Sequence, residues 1–113
     1  MNPNGDSELA ILMRRMADEA EMIKAKIEQG ERPEILVDYQ EIMTASATEP
    51  EKKATHEYEV FAESHIQSMQ LLEDADTSRM LTLYDNMISN CINCHQELCP
   101  GPLPRIKKLK MEL

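Results

Sequence analysis

The side chains with the most distinctive chemistry in this chain lie close together, between positions 91 and 99. Cys91, Cys94 and His95 form a C-x-x-C-H motif, and Cys99 is the third and last cysteine. Two thiols three positions apart on a helix share one face, so both can reach the two vinyl groups at one edge of a porphyrin. The histidine that follows can bind the iron through its imidazole. The motif therefore predicts one covalently attached haem c per chain.

Three other interpretations of these residues stay open at this point. A C-x-x-C pair also occurs in thioredoxin-like dithiol proteins, but those need a βαβ context, which this sequence does not show. A zinc site could use Cys91, Cys94, His95 and Cys99, although a tetrahedral site built from one short helix end is awkward. The cysteines could also be small apolar core side chains. We prefer the haem interpretation, because it accounts for the spacing and the histidine together.

The elements that position this motif are predicted to be helices, because apolar residues recur in them at intervals of three and four. Asp6 or Ser7 can cap the first helix, and Gly30 can end it, since glycine tolerates a left-handed backbone. Pro100 ends the last helix. Four amphipathic helices with short links predict an all-α, antiparallel four-helix bundle. The predicted helices span residues 7–29, 33–45, 50–73 and 77–98.

Composition limits the fold and the partners. The 113 residues predict one domain over 1–113, in which residues 1–6 and a short basic tail, 103–113, are peripheral. Three glycines, no Trp and few aromatic residues argue against a β-sandwich or barrel. A net charge of -9 excludes nucleic-acid and anionic-membrane partners, which need a basic face. No apolar run approaches the roughly 20 residues that span a bilayer, and the polar start does not read as a signal peptide.

The motif and the helix that leads into it, residues 80–90, resemble the end of the last helix of class II c-type cytochromes, the cytochrome c prime family. The first predicted helix also resembles that family's first helix, because it ends in Gly30-Glu31-Arg32-Pro33, with a glycine and a nearby proline before the second helix. The resemblance is architectural along nearly the whole chain, and it implies His95 as the proximal iron ligand. The chain departs from the family at Leu98 and Cys99, where many members have an aromatic and a basic residue.

In that family the first helix lines the distal face of the haem. Counted back from Gly30, with one extra residue allowed in the loop, the distal position falls on Met13. The resemblance therefore implies Met13 as the sixth iron ligand, with Met16 as a second candidate. Met87, on the apolar stripe of the last predicted helix, is a further candidate for contact with the haem. Methionine and histidine ligation favours electron transfer. Met13 can equally be a flexible core side chain, which would leave the iron five-coordinate and open to nitric oxide or carbon monoxide.

Two expectations concern polar side chains near this site. His65 lies within the apolar stripe of the third predicted helix, and we interpret it as a buried histidine satisfied by a hydrogen bond rather than as a ligand. The basic tail could fold back and neutralise the haem propionates, as could Arg14 or Arg15. The tail cations are Arg105, Lys107, Lys108 and Lys110.

Electron transfer through haem c is the function that these observations predict. No set of residues suggests a catalytic acid, base or nucleophile, so we expect no enzymatic activity. The acidic surface would suit a redox partner with a basic docking face. The resemblance implies a periplasmic mature protein, with its export signal absent from this sequence, and family members often form homodimers through their first two helices. The alternatives are a five-coordinate gas-binding haem protein and a haem-free helical bundle with a Cys/His zinc site.

Overall fold

The secondary structure of the chain is helical, as the periodicity predicts. The computed structural model describes residues 6–111, so the predicted polar turn at residues 1–5 and the last two tail residues lie outside this range. Within 6–111 there is no strand, and no helix is long and apolar enough to cross a membrane. The elements are α1 (Glu8–Glu28), a 3-10 helix (Tyr39–Met43), α2 (Pro50–Lys53), α3 (His56–Asp74), α4 (Thr77–Glu97) and α5 (Leu103–Lys107).

Both ends of α1 are where the sequence predicts them. The Ser7 hydroxyl accepts a hydrogen bond from the Ala10 amide at 3.1 Å, which satisfies one of the free amides of the first turn. Gly30 follows the helix with φ of 74°, in the left-handed region that glycine adopts without steric cost. The predicted fourth helix also agrees closely with α4, which begins at Thr77 and ends at Glu97.

The predicted helix over residues 33–45 is wrong. Only Tyr39–Met43 is helical there, and as a 3-10 turn. The Glu19 carboxylate of α1 accepts from the backbone amides of Leu36 and Val37 at 2.8 and 2.9 Å. Those amides are therefore bonded to a side chain of another element instead of to carbonyls one turn earlier, and they hold the segment against α1.

The predicted third helix is divided into α2 and α3. Thr55 separates them because its hydroxyl accepts from the Tyr58 amide at 3.1 Å, which makes it the N-cap of a new helix. The two-residue link between α3 and α4 makes them antiparallel neighbours, and the Asn90 side chain donates to the Phe61 carbonyl at 3.2 Å across their interface. The motif-bearing helix is therefore held against α3 along much of its length.

The buried apolar side chains form two separate clusters. The first cluster comprises Ala20, Ile23, Met69, Leu72, Ala75, Met80, Tyr84, Met87, Ile88, Ile106, Leu109 and Met111. The second cluster comprises Leu12, Ile42, Ala45, Tyr58 and Ala62. Both clusters take residues from α1 and α3, so they lie one beyond the other along these helices.

The basic tail is part of the core, contrary to the expectation that it is peripheral. Tyr84 donates its hydroxyl to the Leu109 carbonyl at 2.7 Å. The Asp85 carboxylate accepts from Lys110 Nζ at 2.8 Å and from the Met111 amide at 3.2 Å. These bonds seat the tail on α4. Its buried apolar side chains are Ile106, Leu109 and Met111.

Candidate functional site

Helix α4 carries the C-x-x-C-H motif, and its cysteines and histidine are turned inward while Asn93 is exposed. His95 is buried, and Cys91 and Cys94 are partly buried. Cys91 packs against the first cluster, and its sulfur lies 3.9 Å from the sulfur of Met87 one turn earlier. Four of the predicted site residues therefore share one stretch of a single helix, because helical spacing places positions three and four apart on the same side.

The electrostatics of the two thiols argue against a dithiol redox centre. Burial raises the pKa of Cys91 to about 12 and that of Cys94 to about 11. Both side chains are therefore neutral thiols at pH 7, whereas the reactive cysteines of dithiol oxidoreductases have lowered pKa values. Over residues 6–111 no group of three or more His, Cys, Asp or Glu side chains is arranged to hold a metal ion.

The hydrogen bond of His95 defines which of its ring nitrogens is free. Nδ1 lies 2.8 Å from the Cys91 carbonyl oxygen. A carbonyl can only accept, so Nδ1 carries the proton and the neutral ring has its lone pair on Nε2. Burial lowers the pKa of His95, which favours this neutral form. A histidine oriented in this way by a backbone carbonyl is prepared to bind a metal through Nε2.

The motif lies where the core is interrupted. On α4, Ile92 packs against the first cluster and Leu98 against the second, and Cys94 and His95 lie between them. Met13 and Met16 of α1 pack against the second cluster, together with Leu98. The structure thus groups the candidate distal methionines with the end of α4, and it groups Met87 with Cys91 in the other cluster.

Tyr58 is a site residue that the sequence reasoning missed, because its place in an apolar stripe reads as ordinary core packing. Its hydroxyl donates to the Ile42 carbonyl at 2.6 Å. Burial, and then the neighbouring Cys94, raise the pKa of Tyr58 above its usual value, so the phenol stays protonated next to the motif.

Tyr58 also forms part of the wall of an open cleft of about 510 Å³, hereafter the Tyr58 cleft. The cleft is lined by Met43, Ser46, Ala47, Pro50, Lys53, Ala54, Thr55, Tyr58 and Glu59.

His65 differs from the expectation of a satisfied histidine. It is 5% exposed, and its Nε2 has no hydrogen-bond partner in the described structure. Burial lowers its pKa to about 4, so the ring is neutral at pH 7. On α3 it lies between Ala62 of the second cluster and Met69 of the first, at the interruption of the core.

Two of the tail cations are already bound to acidic groups. Arg105 contacts Asp18 at 2.6 Å and Glu21 at 3.4 Å, both on α1. Lys110 contacts Asp85 at 2.8 Å on α4. The tail is therefore tied to two helices by these side chains, which does not favour the expectation that they neutralise haem propionates.

No family model, curated protein or solved structure matches this chain. The functional argument therefore depends on the motif, the surroundings of its residues and their chemistry.

Proposed function

We propose that this protein is an electron carrier with one haem c attached through Cys91 and Cys94, with His95 as the proximal ligand. The orientation of His95 carries the proposal. Its Nδ1–H is bonded to the Cys91 carbonyl, so Nε2 is the nitrogen left for iron. The donor set of two thiols and one neutral imidazole is the one that haem c requires.

The interruption of the core supports the same assignment. A bound haem would supply a one-electron couple, and the chain's part is to hold its ligands and keep water away. Cys94 and His95 lie between the two clusters, where a flat apolar group could contact both. The three long helices, with residues 33–45 as the fourth side, would form the antiparallel bundle that encloses it. We propose no catalytic activity, because this role needs only binding, orientation and burial.

Met13 is the proposed distal ligand. It packs against the second cluster together with Leu98, which lies one helical turn beyond His95. A methionine on α1 that shares a cluster with the end of α4 is well placed to face a haem bound there. Met16 belongs to the same cluster and is the second candidate. Histidine and methionine ligation raises the reduction potential and closes the iron to gases.

The charge of the chain supports a basic partner. The formal net charge is -9, so a redox partner with a basic docking face would be attracted over about a Debye length. Attachment of haem to this motif implies the periplasm as the compartment, and the resemblance implies a homodimer. These three points rest on the haem assignment.

Expression with a haem-maturation system tests the attachment. We expect the wild-type chain to be red and to gain the mass of one haem. The variant Cys91→Ser/Cys94→Ser should lack covalent haem, and Cys99→Ser should keep it, because Cys99 lies outside the motif. A colourless wild-type chain of unmodified mass from a maturation-competent host would refute the proposal.

Absorption spectra with and without carbon monoxide test the sixth ligand. We expect sharp low-spin bands in the reduced protein that carbon monoxide does not change. Met13→Leu should convert the spectrum to a high-spin form that binds carbon monoxide, whereas Met16→Leu should leave it low-spin. A high-spin wild-type spectrum that shifts with carbon monoxide would instead identify the five-coordinate gas-binding protein.

A further inference from the structure

The side of α3 that faces away from the core carries two large apolar side chains in water. Val60 and Leu71 are 50% and 56% exposed. They belong to a line of exposed residues that recur every three or four positions and therefore share one side of the helix. This line, hereafter the outer stripe, comprises Glu57, Val60, Glu63, Gln67, Leu71 and Asp74. In it, each apolar side chain has a carboxylate three positions away, which is a neighbouring position on a helix surface.

The outer stripe is acidic, and no cation of its own helix neutralises it. Helix α3 contains five carboxylates and neither Lys nor Arg, whereas α1 carries four such cations and α4 carries one. Over residues 6–111 the carboxylates of Glu57, Glu63 and Asp74 form no ion pair. The two lysines of α2, just before α3, are bound to the Met43 carbonyl and to Glu49. The stripe therefore presents a negative field to solvent.

The first half of the stripe lies at the level of the motif. The Asn90 side chain donates to the Phe61 carbonyl at 3.2 Å, which aligns these two positions across the interface of α3 and α4. Because the two helices are antiparallel, the turn before Phe61 lies beside the turn after Asn90. Residues 57–60 are therefore level with residues 91–94. A partner on this half of the stripe would be separated from the haem-bearing turn by a single helix, about 10 Å across.

The charge of the stripe selects its occupant. A second copy of this chain would bring the same carboxylates against each other, and nucleic acid or anionic lipid would also be repelled. A protein that has cations around an apolar spot complements both the carboxylates and the exposed Val60. Redox partners make small, transient contacts, for which one helix face is enough.

We propose that the outer stripe of α3 is the docking surface for a basic redox partner. Val60 is its apolar centre, and Glu57 and Glu63 flank that centre as the charged rim. The inference rests on the proposed electron-transfer function and assigns a docking surface to it.

Titration with mitochondrial cytochrome c, a small basic haem protein, tests the surface. The reduced, diamagnetic probe should shift the amide resonances of the isotope-labelled, haem-loaded chain most at residues 57–71. Glu57→Gln/Glu63→Gln should raise Kd on the order of tenfold at low salt, because two exposed ion pairs are lost. At about 1 M salt this difference should vanish, since the Debye length is then about 3 Å. Val60→Ser should raise Kd severalfold at both salt concentrations.

Matched variants separate the stripe from the net charge of the chain. Glu28→Gln/Glu34→Gln removes the same charge from exposed positions outside α3, and Leu36→Ser removes an exposed apolar side chain elsewhere. Both should bind the probe as wild type does, and thermal unfolding should show that every variant is folded. Equal effects of the two double variants, or largest shifts outside α3, would overturn the docking surface in a chain that carries haem. Failure of the wild-type chain to take up haem, measured by mass, would overturn the proposed function and this inference with it.

Discussion

Replacement of His65 should make the protein more resistant to acid. The side chain is 5% exposed and its Nε2 has no partner, so the folded chain holds a desolvated polar atom without compensation. A leucine of similar reach removes that atom and leaves an apolar side chain between the two clusters. At pH 7 we expect His65→Leu to raise the free energy of unfolding by about 1 kcal/mol, because an unsatisfied buried polar group costs about 1–3 kcal/mol.

The pH dependence provides the larger effect. The pKa of His65 falls from 6.5 in the unfolded chain to about 4 in the folded one, because burial disfavours the charged ring. The unfolded chain therefore binds the proton more tightly, and stability is lost as the pH falls from 6.5 towards 4. With these two pKa values, the wild-type protein loses about 2 kcal/mol between pH 7 and pH 5 through His65 alone. His65→Leu removes this loss.

Urea unfolding followed by circular dichroism at pH 7, 6 and 5 measures the effect. The advantage of His65→Leu over wild type should grow from about 1 kcal/mol at pH 7 to about 3 kcal/mol at pH 5. The lowered pKa of His95 contributes in the same direction but cancels in the difference between the two proteins. His56→Gln, at an exposed position, is the control and should follow wild type. A difference that stays constant over this pH range would refute the account of His65.

Three further changes test the tail and the end of α1. Tyr84→Phe removes the 2.7 Å bond to the Leu109 carbonyl and should lower the free energy of unfolding by about 1–2 kcal/mol; an unchanged urea midpoint would contradict that bond. Asp85→Ala leaves the buried Met111 amide without its acceptor and should cost about 3 kcal/mol, and a loss below that of Tyr84→Phe would argue against a seated tail. Gly30→Ala should lower the free energy of unfolding by about 1 kcal/mol, measured by heat or urea, because φ is 74° at this position. An added Cβ meets nothing within 4 Å, so the backbone conformation is the only source of this cost. An unchanged stability would therefore exclude that conformation.

The sequence was a good guide where structure depends on neighbouring residues. The cap at Ser7, the left-handed Gly30 and the extent of α4 all follow from interactions within a few positions of the chain. The helix over 33–45 failed because distant Glu19 takes two of its amides, which no local pattern reveals. The division at Thr55 was missed although its signal was present, since a capping threonine can be read from sequence.

The candidate site also has some features that follow from the local sequence and others that depend on tertiary packing. In any helix, residues three and four positions apart share one face, so Cys91, Cys94 and His95 could be recognised as a motif from the sequence alone. The Tyr58 cleft, the unpaired Nε2 of His65 and the packing of Met13 and Leu98 against the same cluster depend on how the helices pack. Helical periodicity says which side of a helix is apolar, but it does not say which residue of another helix lies opposite.

By itself, the sequence determined the all-helical class and placed two thiols and an imidazole on one face of the last long helix, because backbone periodicity and side-chain chemistry are local. Only the tertiary structure decided that the basic tail is part of the core and that the core is interrupted at Cys94 and His95. It also decided that Tyr58, which looks like an ordinary core residue in the sequence, lines an open cleft. These features depend on contacts between residues far apart in the chain, since burial and pairing arise only when the elements pack.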